Sequence, residues 1–259
     1  MKIYIDPGHG GDSIGASYKG RLEQDDCLRL AQAVRDCLLT QKDVQVRLSR
    51  EGNTNPDLVK RAEDANSWGA DYFLSIHRNA FTPEGATGAE IWVYSKVATD
   101  GETYRIAENI LNSLCLSSGY RNRGVKKGAP AYTDYAVNSY TKMHSALLEV
   151  GFIDNTKDNE IFDRSFSEIA LEIAKGLYEA MKGEWTDSVP AEKPSSAGFT
   201  YIVQAGAFTD KALAEAHAQK IKKAGFDAFV TVKGDVDGDG RVSAADGRAA
   251  LRISVGREV

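Results

Sequence analysis

The sequence predicts an α/β protein: a mostly parallel sheet with helices on both faces, followed by a small C-terminal α+β module. Three observations predict it. Over the first 183 residues, short apolar runs alternate with stretches of three- and four-residue periodicity. That is the pattern of buried parallel strands joined by crossover helices. Residues 183–198 concentrate proline, serine, glycine and charge, as linkers do. Beyond them, residues 199–259 open with a single strand–helix–strand pattern. The expected organisation is a domain over 1–182, a linker over 183–198 and a small module over 199–259.

Taken in order, Lys2–Asp6 is the first predicted strand, an apolar run ending in an aspartate and a glycine-rich turn. A helix is expected over Glu23–Leu39, where Cys27, Leu30, Ala31, Val34, Cys37 and Leu38 recur on one face. Val44–Ser49 is the second strand. Pro56 is expected to open the next helix, through Ala65, because an early helical position loses least from a missing donor. Asp71–His77 and Gly88–Ser95 are strands, Thr103–Leu116 a helix, Ser145–Phe152 a strand and Phe166–Met181 a helix. In the tail, Phe199–Phe208 alternates as a strand, Asp210–Ala224 is helical, Gly225 stops it, and Phe226–Val232 is a second strand. A unit this short cannot bury a core alone.

Composition narrows the function classes. The chain has 259 residues, 42% hydrophobic and 27% charged, with a net charge of −5. These are ordinary values for a globular protein. The net charge gives no general attraction to nucleic acid or to an anionic membrane, so neither is an expected partner. Three cysteines (Cys27, Cys37 and Cys115) are too few and scattered for a disulfide framework, and the first two fall at core positions of a helix. Met1 is followed at once by a short strand, with no apolar stretch long enough for a signal peptide or membrane span. The expectation is a protein made in the cytoplasm that reaches its site of action by release, or one whose leader has been trimmed.

The chemistry-bearing residues stand at the ends of predicted strands. His9 lies in the turn Asp6-Pro7-Gly8-His9-Gly10-Gly11, His77 ends the run Phe73–His77, Glu149 ends the run Ala146–Glu149, and Glu23 opens a helix. Each has a bland alternative when taken alone. A glycine-rich turn suits an anion at a helix N-terminus, a glutamate in a first helical turn suits the helix dipole, and a strand histidine suits a satisfied core position. Neither G-x-G-x-x-G nor Gly-Lys-Ser/Thr is present to support phosphate binding. Two imidazoles and two carboxylates at one sheet edge are what a catalytic zinc site needs: three ligands, an open position for water, and a carboxylate to move protons.

Read together, these residues resemble the zinc-dependent N-acetylmuramoyl-L-alanine amidases of the type 3 family, over roughly residues 1–182. The matching stretches are Asp6–Gly11, Gly20–Glu23, Ser75–Ala80 and Glu149–Asn155, with Ser49-Arg50, Arg61–Asn66 and Arg123–Val125 as secondary signatures. The resemblance implies zinc on His9, Glu23 and His77, with Glu149 as the proton-transfer group. It implies cleavage of the amide joining N-acetylmuramic acid to L-alanine in bacterial peptidoglycan. Asn79 and Arg78, beside the second histidine, are expected to bind substrate. Arg78, His144 and residues 126–142 depart from the family pattern, which touches substrate recognition rather than the metal site. His144 is a candidate to line the cleft; His217, in the tail, is not.

The tail resembles the first half of a SPOR domain, which implies binding to peptidoglycan glycan strands. Asp235, Asp237, Asp239, Ser243 and Asp246 stand at positions one, three, five, nine and twelve of an EF-hand-type loop, with Gly240 at six and the Arg241 carbonyl at seven. Calcium binding is expected there. The loop resembles one dockerin repeat, but true dockerins carry two, so a cohesin partner is not expected. The functional expectation is a cell-wall amidase, foremost a phage or prophage endolysin, against a sporulation or remodelling amidase. The other rivals are a zinc carboxypeptidase, disfavoured by the G-H-G-G and S-I-H-x-N contexts, and a silent wall-binding scaffold, which would have no need of Glu149.

Overall fold

The computed structural model describes residues 1–81 and 85–186. The C-terminal strand–helix–strand pattern, His217 and the calcium-loop positions 235–246 lie outside the described residues. The chain divides into two compact units, Met1–Ala191 and Glu192–Val259.

The first unit is built on a six-stranded sheet of β1 (Lys2–Pro7), β4 (Gln45–Leu48), β5 (Tyr72–Asn79), β6 (Ala89–Val93), β7 (Asn122–Lys127) and β8 (His144–Phe152). Their order is β4-β1-β5-β8-β6-β7. All neighbours are parallel except β6 and β8, so β6 and β7 run against the other four. The expected mostly parallel sheet is therefore present. Its central strands, β5 and β8, are buried almost throughout, as their apolar runs require.

Helices cover both faces. One face is packed by α1 (Glu23–Leu38), α3 (Glu102–Ser118) and α6 (Phe166–Lys182). They bury Leu30, Val34, Ile106, Ile110, Ile173 and Leu177 against Ile3, Ile5, Leu74 and Leu148. The other face carries α2 (Leu58–Trp68) and the short α4 (Ala136–Tyr140), over a smaller cluster of Tyr4, Phe73, Val137 and Leu147. Cys27 is fully enclosed in the α1 side and Cys37 is partly buried against it, as small hydrophobes.

Several elements differ from expectation. The helix expected to open at Pro56 starts at Leu58, because Asp57 caps it by accepting from the Val59 amide; Pro56 lies just outside. The hairpin of β2 (Ser17–Tyr18) and β3 (Arg21–Leu22), the strand β7, the helix α4 and α5 (Thr156–Arg164) were not expected from the sequence. Two-residue strands carry no periodicity to read. A register shift opposite Ala89–Ile91 breaks the alternation of β7.

Candidate metal centre

The site is built from the Asp6-Pro7 end of β1 outward. Asp6 is almost fully buried and accepts from Arg61 Nη1 at 2.7 Å, from Ser75 Oγ at 2.8 Å and from Ser49 Oγ. Arg61 then reaches the Pro7 and His9 carbonyls, and Arg50 those of Pro7, Gly8 and Gln24. Two buried guanidiniums thus hold the turn by its carbonyl oxygens. They keep His9 in a left-handed conformation, φ 60°, which costs a non-glycine residue about 1–2 kcal/mol. Strain of that size persists where the surroundings over-determine it.

His9, Glu23 and His77 come together, as expected. One ligand atom from each lies within 4.8 Å of the others. Glu23 Oε1 is 3.1 Å from His9 Nε2 and 2.9 Å from His77 Nδ1. Two of the remaining polar atoms are fixed from behind: His9 Nδ1 is 3.2 Å from Ser13 Oγ, and Glu23 Oε2 accepts from the Ala16 amide at 2.8 Å. Such outer partners set which ring nitrogen faces the centre. Burial alone would raise the Glu23 pKa, but hydrogen bonds from His77 and His9 outweigh it and hold the carboxyl well below the usual range. A cradle shaped this closely needs glycines. A Cβ on Gly8 would fall 2.4 Å from the His77 ring, and one on Gly15 would fall 2.5 Å from Glu23 Oε2.

Glu149 lies beside this cluster, inside β8 rather than at its end, paired in register with His77 on one side and Glu90 on the other. It is buried, and its Oε2 has no hydrogen-bond partner among the described residues. Desolvation first, then the negative charges of Glu23 and Glu90, push its pKa well above the ordinary carboxylate value. An unpartnered buried carboxylate costs free energy that folding alone has no reason to spend.

Glu90 is a residue the sequence reading missed. It is buried and accepts from Asn79 Nδ2 at 2.9 Å, Trp92 Nε1 at 3.2 Å and Arg123 Nε at 2.7 Å. The signal available in the sequence was a lone glutamate inside the apolar run Ala89–Val93. Asn79, expected to bind substrate, lies at the edge of the site with its amide committed to Glu90 and to the Ala80 amide. Arg78 is a correction. It is only 2% exposed, with its guanidinium bound to Asp26 and Asn159 and stacked over Phe162, so it ties β5 to α1 and α5 and presents nothing to a substrate. Strand alternation explains it: the neighbour of a cleft-facing histidine must face the opposite side. His144 is at the start of β8, bound to Thr103 and near Glu102, at the far end of the sheet from the site.

Comparison with known proteins follows the same lines. A family model described as N-acetylmuramoyl-L-alanine amidase matches residues 3–180. A SPOR domain model matches residues 173–251. The two overlap on α6, whose Ile173, Ala174 and Leu177 are buried in the first unit's core; physically that helix belongs to the amidase match. The N-acetylmuramoyl-L-alanine amidase CwlM of Bacillus licheniformis is 39% identical over 235 residues, 89% of this chain and 84% of that protein. A sporulation-specific N-acetylmuramoyl-L-alanine amidase of Bacillus subtilis is 36% identical, over 90% of this chain and 85% of that protein. The endolysin of Bacillus phage SPP1 is 31% identical, over 75% and 72%. Among solved structures, an N-acetylmuramoyl-L-alanine amidase from Clostridium difficile 630 superposes with a TM-score of 0.64 at 33% identity, covering 70% of this chain and 98% of that one.

Proposed function

The chain belongs to the N-acetylmuramoyl-L-alanine amidase family, and from that premise we propose a zinc-dependent reaction in which His9, Glu23 and His77 hold the metal and Glu149 moves the proton. The activity itself, a cell-wall amidase acting on peptidoglycan, follows from the family and its relatives. The observation that carries the proposal is the convergence of three donor atoms beside a buried carboxylate with one free oxygen.

The donor set fits the ion. Two imidazole nitrogens and one carboxylate oxygen, backed by outer hydrogen bonds, match the His₂Glu type of catalytic zinc site. Bound there, zinc would supply a Lewis acid for the amide carbonyl and would bring the pKa of a water toward neutrality. The remaining work belongs to the chain. No hydrogen bond among the described residues ties up the Glu149 carboxylate, so it is free to accept a proton from water and return it to the leaving amine nitrogen. Its raised proton affinity suits a group that must hold a proton between two steps. Glu90 supports this by placing a second, fully hydrogen-bonded carboxylate against it.

Product analysis tests the reading. An amidase frees the whole stem peptide with a new N-terminal alanine and leaves the glycan carrying free lactyl groups, whereas a carboxypeptidase frees a single amino acid. Appearance of the amino acid alone would overturn it.

The bond is common to two biological settings. The phage relative supports an endolysin, while the sporulation-specific relative aligns over more of this chain and supports controlled wall remodelling. Expression in a bacterial host separates them: an endolysin lyses only once a membrane pore is opened, and wall cleavage without a pore would leave the remodelling reading. We also propose calcium binding by Asp235, Asp237, Asp239, Ser243 and Asp246, supported by their oxygen spacing.

A further inference from the structure

The strand β7 forms one edge of the sheet and carries an unusual charge pattern for a chain of net −5. Residues 120–133 contain Arg121, Arg123, Lys126 and Lys127 and no acidic residue. Sheet register says which of these meet the catalytic face. Paired residues on neighbouring strands share a face. His77, Glu149 and Glu90 form one row across β5, β8 and β6. Leu147, Trp92 and Lys126 form the next row across β8, β6 and β7. Arg123 joins the first row through its 2.7 Å bond to Glu90. Val125, between them, turns to the opposite core, as alternation demands.

Both cations have donors to spare. Lys126 is half-buried, and its ammonium group makes no hydrogen bond or ion pair among the described residues. Arg123 uses Nε on Glu90 and Nη1 on the Thr87 carbonyl, and rests over the Phe152 ring, while Nη2 makes no such bond. Its side chain is 29% exposed. Trp92 and Tyr135, edge to face at 5.9 Å, form an apolar wall beside them. A half-buried lysine and a spare guanidinium donor, two strands from Glu149 on the same face of the sheet, are a place for an anion.

We propose that Arg123 and Lys126 form the subsite that receives a free carboxylate of the substrate's peptide portion. The inference rests on the amidase reading. The sugar side of the scissile bond offers no charge there, because its lactyl carboxyl is consumed in the amide and its amine is acetylated. Free carboxylates belong to the peptide. From β8 to β7 is two strand spacings, roughly 10 Å, which an extended peptide covers in about three residues. The carboxylate therefore belongs to the second or third residue beyond the scissile bond. The substrate would lie with its peptide over β6 and β7 and its glycan toward the opposite side of the metal centre.

The test compares two soluble substrates on the metal-loaded full chain: an N-acetylmuramoyl tripeptide with free carboxylates, and the same compound with those carboxylates converted to carboxamides. Wild type should show a KM about tenfold lower for the free acid, with kcat within about twofold. Lys126→Glu, a charge swap at a half-exposed edge position, should abolish or reverse that preference, raising KM for the free acid far more than for the carboxamide. Arg123→Lys, which keeps a cation for Glu90 but removes the guanidinium fork, should narrow the preference. A wild type indifferent to the carboxylates, or a Lys126→Glu protein impaired equally on both substrates, would overturn the subsite while leaving the amidase reading intact. Cleavage of both compounds at a bond other than muramoyl–alanine would overturn the reading together with the subsite.

Discussion

His77 and Glu149 stand side by side on adjacent strands, yet they should respond to substitution in opposite ways. Removing a ligand from a three-ligand site weakens metal binding by orders of magnitude. His77→Ala is therefore expected to lose both zinc and turnover, and a variant that keeps its full zinc content would sink the ligand assignment. Glu149→Gln keeps shape and hydrogen-bonding capacity, so zinc content should hold while the rate falls about 10²–10⁴-fold. Loss of zinc along with the rate would make Glu149 a ligand instead. Its titration adds an independent check in metal-stripped protein. A carboxyl whose pKa is raised on folding contributes stability that is fully present below its unfolded value, about 4.3, and is lost as pH rises through the folded value. Glu149→Gln does not titrate, so its melting temperature relative to wild type should rise between pH 4 and pH 7. A relative fall over that window would mean that the Glu149 carboxylate is stabilised in the fold, contrary to its burial beside Glu23 and Glu90. His77 and Glu149 were legible in the sequence because each closes an apolar run, where its residue type is costly, while His9 in its glycine-rich turn and Glu23 at a helix start gained meaning only beside them. Glu90 was equally expensive but stood in no motif. Arg78 was misread because its neighbour's role says nothing about the face that it occupies.

At the scale of elements, the precision of the centre comes from the turn after β1. The secondary signatures Ser49-Arg50 and Arg61, set far apart in the chain, act there: with Asp6 they form one buried network that grips the Pro7, Gly8 and His9 carbonyls. Sequence could show that these residues were present but not that they shared a purpose, because the network is made of contacts between β1, β4, β5 and α2. Removing one partner of a buried pair such as Asp6–Arg61 typically costs about 3–5 kcal/mol. Gly8 allows a cleaner test. Its Cβ would meet the His77 ring rather than backbone, so Gly8→Ala should displace the imidazole while leaving the sheet intact. Zinc affinity should fall by at least about tenfold, with a much smaller change in the thermal stability of the stripped protein. Unchanged affinity would show that the ring moves aside at no cost. The long apolar strands and amphipathic helices were readable from periodicity, whereas β7 was hidden by its bulge and polar composition, and α4 and α5 by their shortness.

At the scale of the whole molecule, the amidase unit holds a complete core of its own: α6 closes it against α1 and α3, and Trp185 packs onto Tyr178 just beyond. A chain ending at residue 186 should therefore fold and cleave a soluble muramoyl peptide at a rate close to that of the full protein. What it should lose is affinity for intact walls, because the SPOR match extends well past that point, to residue 251. That match also spans the loop read as a calcium site, so the two readings of residues 235–246 make a joint prediction. Four aspartates brought together in one short loop repel one another, and a divalent cation that relieves the repulsion couples its binding energy to the order of the module around it. Chelating calcium from the full chain, with zinc held in place, should lower binding to purified walls while leaving hydrolysis of the soluble peptide unchanged. Asp235→Ala should reproduce the effect of chelation and make the protein insensitive to added calcium. Titration calorimetry of the full chain, zinc already bound, supplies the direct measurement. No heat of binding at millimolar calcium, or wall affinity untouched by Asp235→Ala, would reduce the loop to an acidic turn within a wall-binding module that works without the ion.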